Sequence, residues 1–219
     1  MHHGYNMRTE TAPAAERVYT HVRAAILDHT YPGGDLITEG AVAEQVGVSR
    51  TPVRAALLRL EAEGLVRLYP KRGALVVPVT PREAEEVHEA RALVEGWAAP
   101  RAAHAGEALV AVLEQHLAAM RSHREAGDTQ AFVAADRAFH EAVVESAGNA
   151  LLTRLYVSLR DRQLCLSAAS VRLDPDRAVR AVADHEAILE ALRRGDVEDF
   201  TARTTAHVAS ASPSDRDAS

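Results

Sequence analysis

The sequence has one cysteine, one lysine, one tryptophan and only 4% aromatic residues among its 219 positions. The lone Cys165 excludes an internal disulfide framework and a cysteine-rich zinc site. No apolar run approaches the roughly 20 residues a membrane-spanning helix needs, so no membrane partner is expected. The first ten residues are polar and lack the apolar core of a secretory signal, so the expected compartment is the cytoplasm. With so few rings, the core has to be assembled mainly from Ala, Val and Leu.

What is present is an ordinary globular composition, 47% apolar and 26% charged, long enough for one large or two small domains. The net charge of −6 argues against a protein that coats nucleic acid indiscriminately. One stretch runs the other way. Between positions 50 and 72 stand Arg50, Arg54, Arg59, Arg67, Lys71 and Arg72 against only Glu61 and Glu63.

The pattern along the chain predicts a mainly α protein: an N-terminal winged helix-turn-helix with a small β-hairpin, then an all-α bundle. Val18, Val22, Ala25 and Ile26 recur at helical spacing, and a turn follows at Tyr31-Pro-Gly-Gly34. A short helix is expected over 39–46, with Val42, Ala43 and Val46 on one side and Gly47 ending it. Ser49 stands where an N-cap belongs, Pro52 falls in the first turn, and Val53, Ala56, Leu57 and Leu60 form the buried stripe of a third helix. Two β-type runs, 65–69 and 74–79, are joined by Pro70-Lys-Arg-Gly73, a length that suits a hairpin. Thr80-Pro-Arg-Glu83 then has the form of a capping box. Beyond it, breaks near 105–106, 127–128, 148–149, 174–175 and 195–196 mark out six helices of roughly 14 to 24 residues, the first kinked or shortened by Pro100. The expected division is 1–13 disordered, 14–79 DNA-binding, 80–209 helical effector-binding and dimerisation domain, and 210–219 a disordered tail.

With the stripe of the third helix turned inward, Arg50, Thr51 and Arg54 lie on its opposite, N-terminal face, and Arg50 and Arg54 share one side. Arginine there can bind guanine O6 and N7 bidentately, while Ser49 and Thr51 hold phosphates. Lys71 and Arg72 at the hairpin tip would reach a neighbouring groove or the backbone. Gly47-Val-Ser-Arg-Thr-Pro-Val-Arg54, followed by Leu57, Leu60, Glu61, Gly64-Leu-Val66 and Gly73, resembles the DNA-binding domain of GntR-type bacterial transcription regulators. The resemblance implies that Ser49, Arg50, Thr51, Arg54 and the wing tip contact double-stranded operator DNA. One recognition helix reads only a few base pairs, so a homodimer is expected to bind it. In one departure, Glu39 is followed by Gly40, where the family usually carries a basic residue.

In the helical half, Asp136 and His140 are four apart on an apolar face with Val133 and Val143. His185 shares a face with Ile188, Leu189 and Leu192, and His207 with Val197 and Phe200. Such nitrogen and oxygen donors suit a borderline divalent ion, Zn²⁺ or Ni²⁺. Spacing alone leaves open that each histidine is separately satisfied among the chain's 11.

Asp136-Arg-Ala-Phe-His140, Gly148-Asn149, Leu152, Asp184-His-Glu-Ala-Ile-Leu189 and His207 resemble the FCD ligand-binding domain of the FadR-like branch. The resemblance implies that Asp136, His140, His185 and His207 coordinate a divalent cation. It also implies that Arg91, in Glu89-Ala-Arg-Ala-Leu-Val-Glu95, faces an effector pocket; an i,i+4 pair with Glu95 is the alternative. The expected function is a metabolite-responsive transcriptional regulator, a repressor, released by a small organic acid. A purely structural metal without an effector is a second reading. A metalloenzyme is a remote third, because neither His140-Glu141 nor His185-Glu186 continues as H-E-x-x-H, and each Glu is rotated about 100° from its neighbour on the helix.

Overall fold

The computed structural model describes residues 12–160, 162–164, 166, 174 and 176–210. Cys165, and all but residues 12, 13 and 210 of the two termini expected to be disordered, lie outside that set. The chain divides into two compact units, Met1–Pro78 and Val79–Ser219.

The first unit contains α1 (Ala14–Leu27), β1 (Leu36–Ile37), α2 (Glu39–Val46), α3 (Arg50–Ala62), β2 (Val66–Tyr69) and β3 (Gly73–Val76). Its core is aliphatic: Val18, Val22, Val53, Leu57, Leu60 and Leu65 are at most 1% exposed. α2 is held at one end by the Thr38 hydroxyl, which accepts from the Ala41 N–H. At its other end Gly47 adopts φ 69°, a left-handed conformation that a residue with a Cβ reaches only with strain. That glycine sets the turn that launches α3. Ser49 takes the N-cap position in extended conformation, but its side chain makes no capping hydrogen bond. In α2 only Val42 is fully buried; Ala43 and Val46 are half-buried.

The hairpin is part of a three-stranded antiparallel sheet ordered β1-β3-β2. β1 was not anticipated: two residues carry no alternation to read. It pairs Leu36 with Leu75 and Ile37 with Ala74. The strands of the hairpin are also shorter than expected, since β2 begins only at Val66 and β3 already ends at Val76, although Gly73 joins β3 opposite Tyr69. Gly73 has φ 121°, and a Cβ there would run into the carbonyl oxygen of Ile37. Gly73→Ala is therefore expected to destabilise the first unit by about 1–3 kcal/mol, through strain and a disturbed β1–β3 ladder. Urea unfolding measures this, and an unchanged midpoint would contradict it.

The second unit is helical: α4 (Pro81–Ala102), a single 3₁₀ turn (Ala103–Ala105), α5 (Glu107–Glu125), α6 (Thr129–Ser146), α7 (Ala150–Ser158), α8 (Asp176–Arg193) and α9 (Val197–Ser210). The Thr80 hydroxyl accepts from the Glu83 N–H, and Pro81 takes the first helical position. Pro100 shortens α4, which ends two residues later and tightens into the 3₁₀ turn. α6 is the central helix, packing on α4, α5 and α7, while α9 packs on α4 and α8. α7 covers nine residues, not the whole interval between the breaks near 148 and 174. Among the described residues no helix is long and apolar enough to cross a membrane.

Candidate functional site

Two sites take shape, one in each unit. In the first, α3 turns Val53, Ala56, Leu57 and Leu60 inward, which leaves Ser49, Arg50, Thr51 and Arg54 exposed. Arg50, Arg54, Lys71 and Arg72 line one concavity of about 570 Å³ between the start of α3, the start of α2 and the hairpin tip. Ser49 and Thr51 are not part of that lining. Lys71 is held at φ 62°, which turns the tip sharply. Glu39 lies in the same concavity, 3.6 Å from the Arg54 guanidinium. The departure at Gly40 has a spatial counterpart: a Cβ there would sit 3.7 Å from a terminal nitrogen of Arg50. Arg50 thus places positive charge against the spot where a side chain at position 40 would begin.

In the second unit α6, α8 and α9 bring Asp136, His140, His185 and His207 together, with one donor atom from each within 4.8 Å of all the others. The 3.6-residue turn sets α6 so that Phe132, Val133, Phe139, His140 and Val143 face inward. His140 and His185 are fully buried; Asp136 and His207 stand at the rim.

The imidazoles share one arrangement. The Nδ1 of His185 faces the Ala181 carbonyl at 2.6 Å, and that of His207 faces Asp184 at 3.0 Å. The Nδ1 of His140 lies 2.7 Å from Glu95 Oε2, a close ion-pair contact in which neither atom makes a hydrogen bond. A neutral imidazole has one proton, and an acceptor at Nδ1 draws it there, leaving Nε2 as a lone pair. The Nε2 atoms of His140 and His185 stand 3.2 Å apart, and Asp136 Oδ1 is 3.4 Å from that of His185. Two facing lone pairs repel unless a cation lies between them. Two nitrogens about 2.0–2.1 Å from a tetrahedral ion are about 3.3–3.4 Å apart, so the His140–His185 pair has the spacing of two ligands to a divalent ion of zinc-like size.

Burial pushes His185 down to about 3, and the neighbouring His207 and His140 add to this against Asp136. Burial likewise lowers His140 despite the opposing pull of Glu95. Burial would raise Asp136, but the surrounding His185, His140 and His207 outweigh it and hold the carboxyl at about 2. The unfolded chain protonates these imidazoles near pH 6.5, whereas the folded one holds both below that value, His185 down to about 3. Stability of the metal-free second unit is therefore expected to fall as pH drops from about 6.5 towards 3, by up to about 1.4 kcal/mol per pH unit from His185. Unfolding in chelator at pH 7.5 and pH 5 tests this, and equal midpoints would refute it.

Beside the cluster, a cavity of about 350 Å³ is lined by Arg91, Asp136, Arg177, Arg180, Asp184 and His207, among others. The two readings of Arg91 coexist: its Nε donates to Glu95 at 3.0 Å while its side chain also forms part of the cavity wall. Sequence reasoning missed Arg177 and Arg180, and it named Glu95 only as a partner of Arg91 and Asp184 only within a motif, not as neighbours of the histidines. Arg177 and Arg180 precede Ala181 and Asp184 by four residues each, so the helical period held a signal. Glu141 and Glu186, the residues a metallohydrolase reading would enlist, pair instead with Arg160 and with Arg121, the latter at 2.7 Å.

Comparisons with known proteins cover both units. Residues 14–76 match the model of bacterial regulatory proteins of the gntR family, and residues 86–210 match the FCD domain. The chain is 30% identical to a probable D-xylose utilization operon transcriptional repressor of Paenarthrobacter nicotinovorans, over 94% of this chain and 90% of that protein. It is 27% identical to the gluconate operon transcriptional repressor of Bacillus subtilis (strain 168), over 84% and 78%. In fold it is similar to the crystal structure of a putative GntR transcriptional regulator from Rhodococcus sp. RHA1. The TM-score is 0.77 at 22% identity, covering 94% of this chain and 98% of that one. Winged helix and helical domain together make this chain a member of the GntR family of bacterial regulatory proteins, in the FadR-like branch with an FCD domain, and hence a DNA-binding transcriptional regulator and not an enzyme.

Proposed function

We propose that this regulator is a cytoplasmic, metabolite-responsive repressor. As a homodimer it binds a pseudo-palindromic operator with half-sites about one helical turn, or a multiple, apart. Arg50 and Arg54 read base edges; Ser49, Thr51, Lys71 and Arg72 fix the protein on the backbone and adjacent groove. In the FCD domain Asp136, His140, His185 and His207 hold a divalent cation, Zn²⁺ or Ni²⁺. The observation that carries this reading is the convergence of one donor atom from each of the four residues, with the Nε2 atoms of His140 and His185 facing each other at 3.2 Å. The cation, when bound, supplies a Lewis-acidic anchor for a carboxylate or hydroxyl oxygen. Arg91, Arg177 and Arg180 add positive charge to a cavity whose volume suits a small metabolite. The effector class is a small organic acid, and the gluconate-operon relative favours a sugar acid.

Release follows if the acid binds the DNA-incompetent state more tightly, and a coupling of about 1–3 kcal/mol changes operator affinity about 5–150-fold. Anisotropy of a labelled duplex from upstream of the protein's own gene, titrated with Zn²⁺-loaded protein and a panel of sugar acids and dicarboxylates, measures that change. Reciprocity requires operator to weaken acid binding by the same factor. An acid that binds in calorimetry but leaves operator affinity unchanged is an occupant and not the signal.

A further inference from the structure

Beneath the histidine cluster lies one carboxylate on which several side chains converge. Glu95 is 1% exposed. Its Oε1 accepts from Arg91 Nε at 3.0 Å and from the Tyr156 hydroxyl at 2.6 Å, and its Oε2 lies 2.7 Å from His140 Nδ1. Arg137, 2% exposed, donates to the Tyr156 oxygen. Two arginines and a phenol account for a buried carboxylate, which needs counter-charge and hydrogen bonds. They do not account for the imidazole, which burial keeps uncharged.

The contact with His140 makes sense as orientation. With its proton on Nε2, the ring would place two acceptors 2.7 Å apart in a buried site; with the proton on Nδ1, it sets a positive N–H edge against the Glu95 carboxylate, although the angle is not that of a hydrogen bond, and turns a lone pair into the cluster. The other two rings are set by hydrogen bonds to different kinds of acceptor. His185 faces a backbone carbonyl, and His207 faces Asp184, whose side chain is 49% exposed. Glu95 is the buried ionic partner among the three.

We infer that Glu95 is the positioning residue of the metal centre: one oxygen fixes His140 as an Nε2 ligand, while the other ties that ligand to Arg91 of the cavity wall. The inference rests on the metal reading above. It also gives the cavity a route to the cation, because an anion that engages Arg91 acts on the carboxylate that holds His140.

The test uses the full chain with Zn²⁺ alone. Affinity is measured by competition with a chromophoric chelator for wild type, Glu95→Gln and Glu95→Asp, and the His140 tautomer by ¹⁵N NMR of the metal-free protein. Glu95→Gln is expected to weaken Zn²⁺ binding about 10–100-fold, with Glu95→Asp between it and wild type. Wild type should show His140 protonated at Nδ1, and Glu95→Gln a mixture of tautomers, a change that lost packing would not produce. A Glu95→Gln variant that binds Zn²⁺ as tightly as wild type overturns the inference and leaves the metal centre standing. A wild type that binds no Zn²⁺ overturns both. Should Glu95→Gln fail to fold, the wild-type tautomer and the Glu95→Asp affinity decide; Nε2 protonation of His140 sinks the proposal.

Discussion

Saturating metal-free protein with Zn²⁺ or Ni²⁺ is expected to stabilise its Val79–Ser219 unit by about 4 kcal/mol at a thousandfold excess over Kd. In a unit of this size that raises the melting temperature by on the order of 10 °C. The increment reflects a cation taken up where two imidazole nitrogens face each other at 3.2 Å inside the bundle. Replacing His185 by Leu keeps the volume and removes one of the two facing nitrogens. The variant should be nearly as stable as wild type in chelator and gain almost nothing from metal. Scanning calorimetry of both proteins, with metal and with chelator, reads the difference. An equal metal-induced shift in the two would place the cation elsewhere.

Replacing Arg50 and Arg54 together is expected to cost about 2–6 kcal/mol of operator affinity, from about 1–3 kcal/mol for each. The two sit one turn apart in the same concavity, so the sum need not be additive. Arg54 starts with a handicap, because it must leave Glu39, 3.6 Å away, before it reaches a base edge. The single Arg54→Ala variant should therefore lose less than Arg50→Ala. Binding to operator should fall far more than binding to random duplex. Parallel loss on both would make these side chains phosphate contacts only.

The recognition unit was largely legible because its turns are written in residues with strong backbone preferences. Gly47 needs its left-handed conformation and Pro52 belongs in a first turn, so the limits of α2 and the start of α3 could be read directly. β1 could not be read, since it is a strand only by virtue of β3 beside it. The end of α7 at Ser158 has no glycine or proline to announce it. For the cluster, the i,i+4 pair Asp136 and His140 was visible, whereas its meeting with α8 and α9 came from resemblance. The Nδ1 partners were invisible for a different reason. Glu95 stands 45 residues before His140 and Asp184 stands 23 before His207, so only tertiary packing brings them together.

The pairing of β1 with β3 has a consequence for the DNA itself. Ile37 leads straight into Thr38, the cap of α2, so the wing and the helix that buttresses α3 share one ladder. This ties the segment bearing Lys71 and Arg72 to the one that leads into Arg50 and Arg54, so on the proposed reading the unit would meet a duplex as a caliper of nearly fixed span. Any mismatch between that span and the local width of the grooves is then absorbed by the nucleic acid, which bends most readily at pyrimidine–purine steps. Operator preference should accordingly extend to base pairs that no side chain touches.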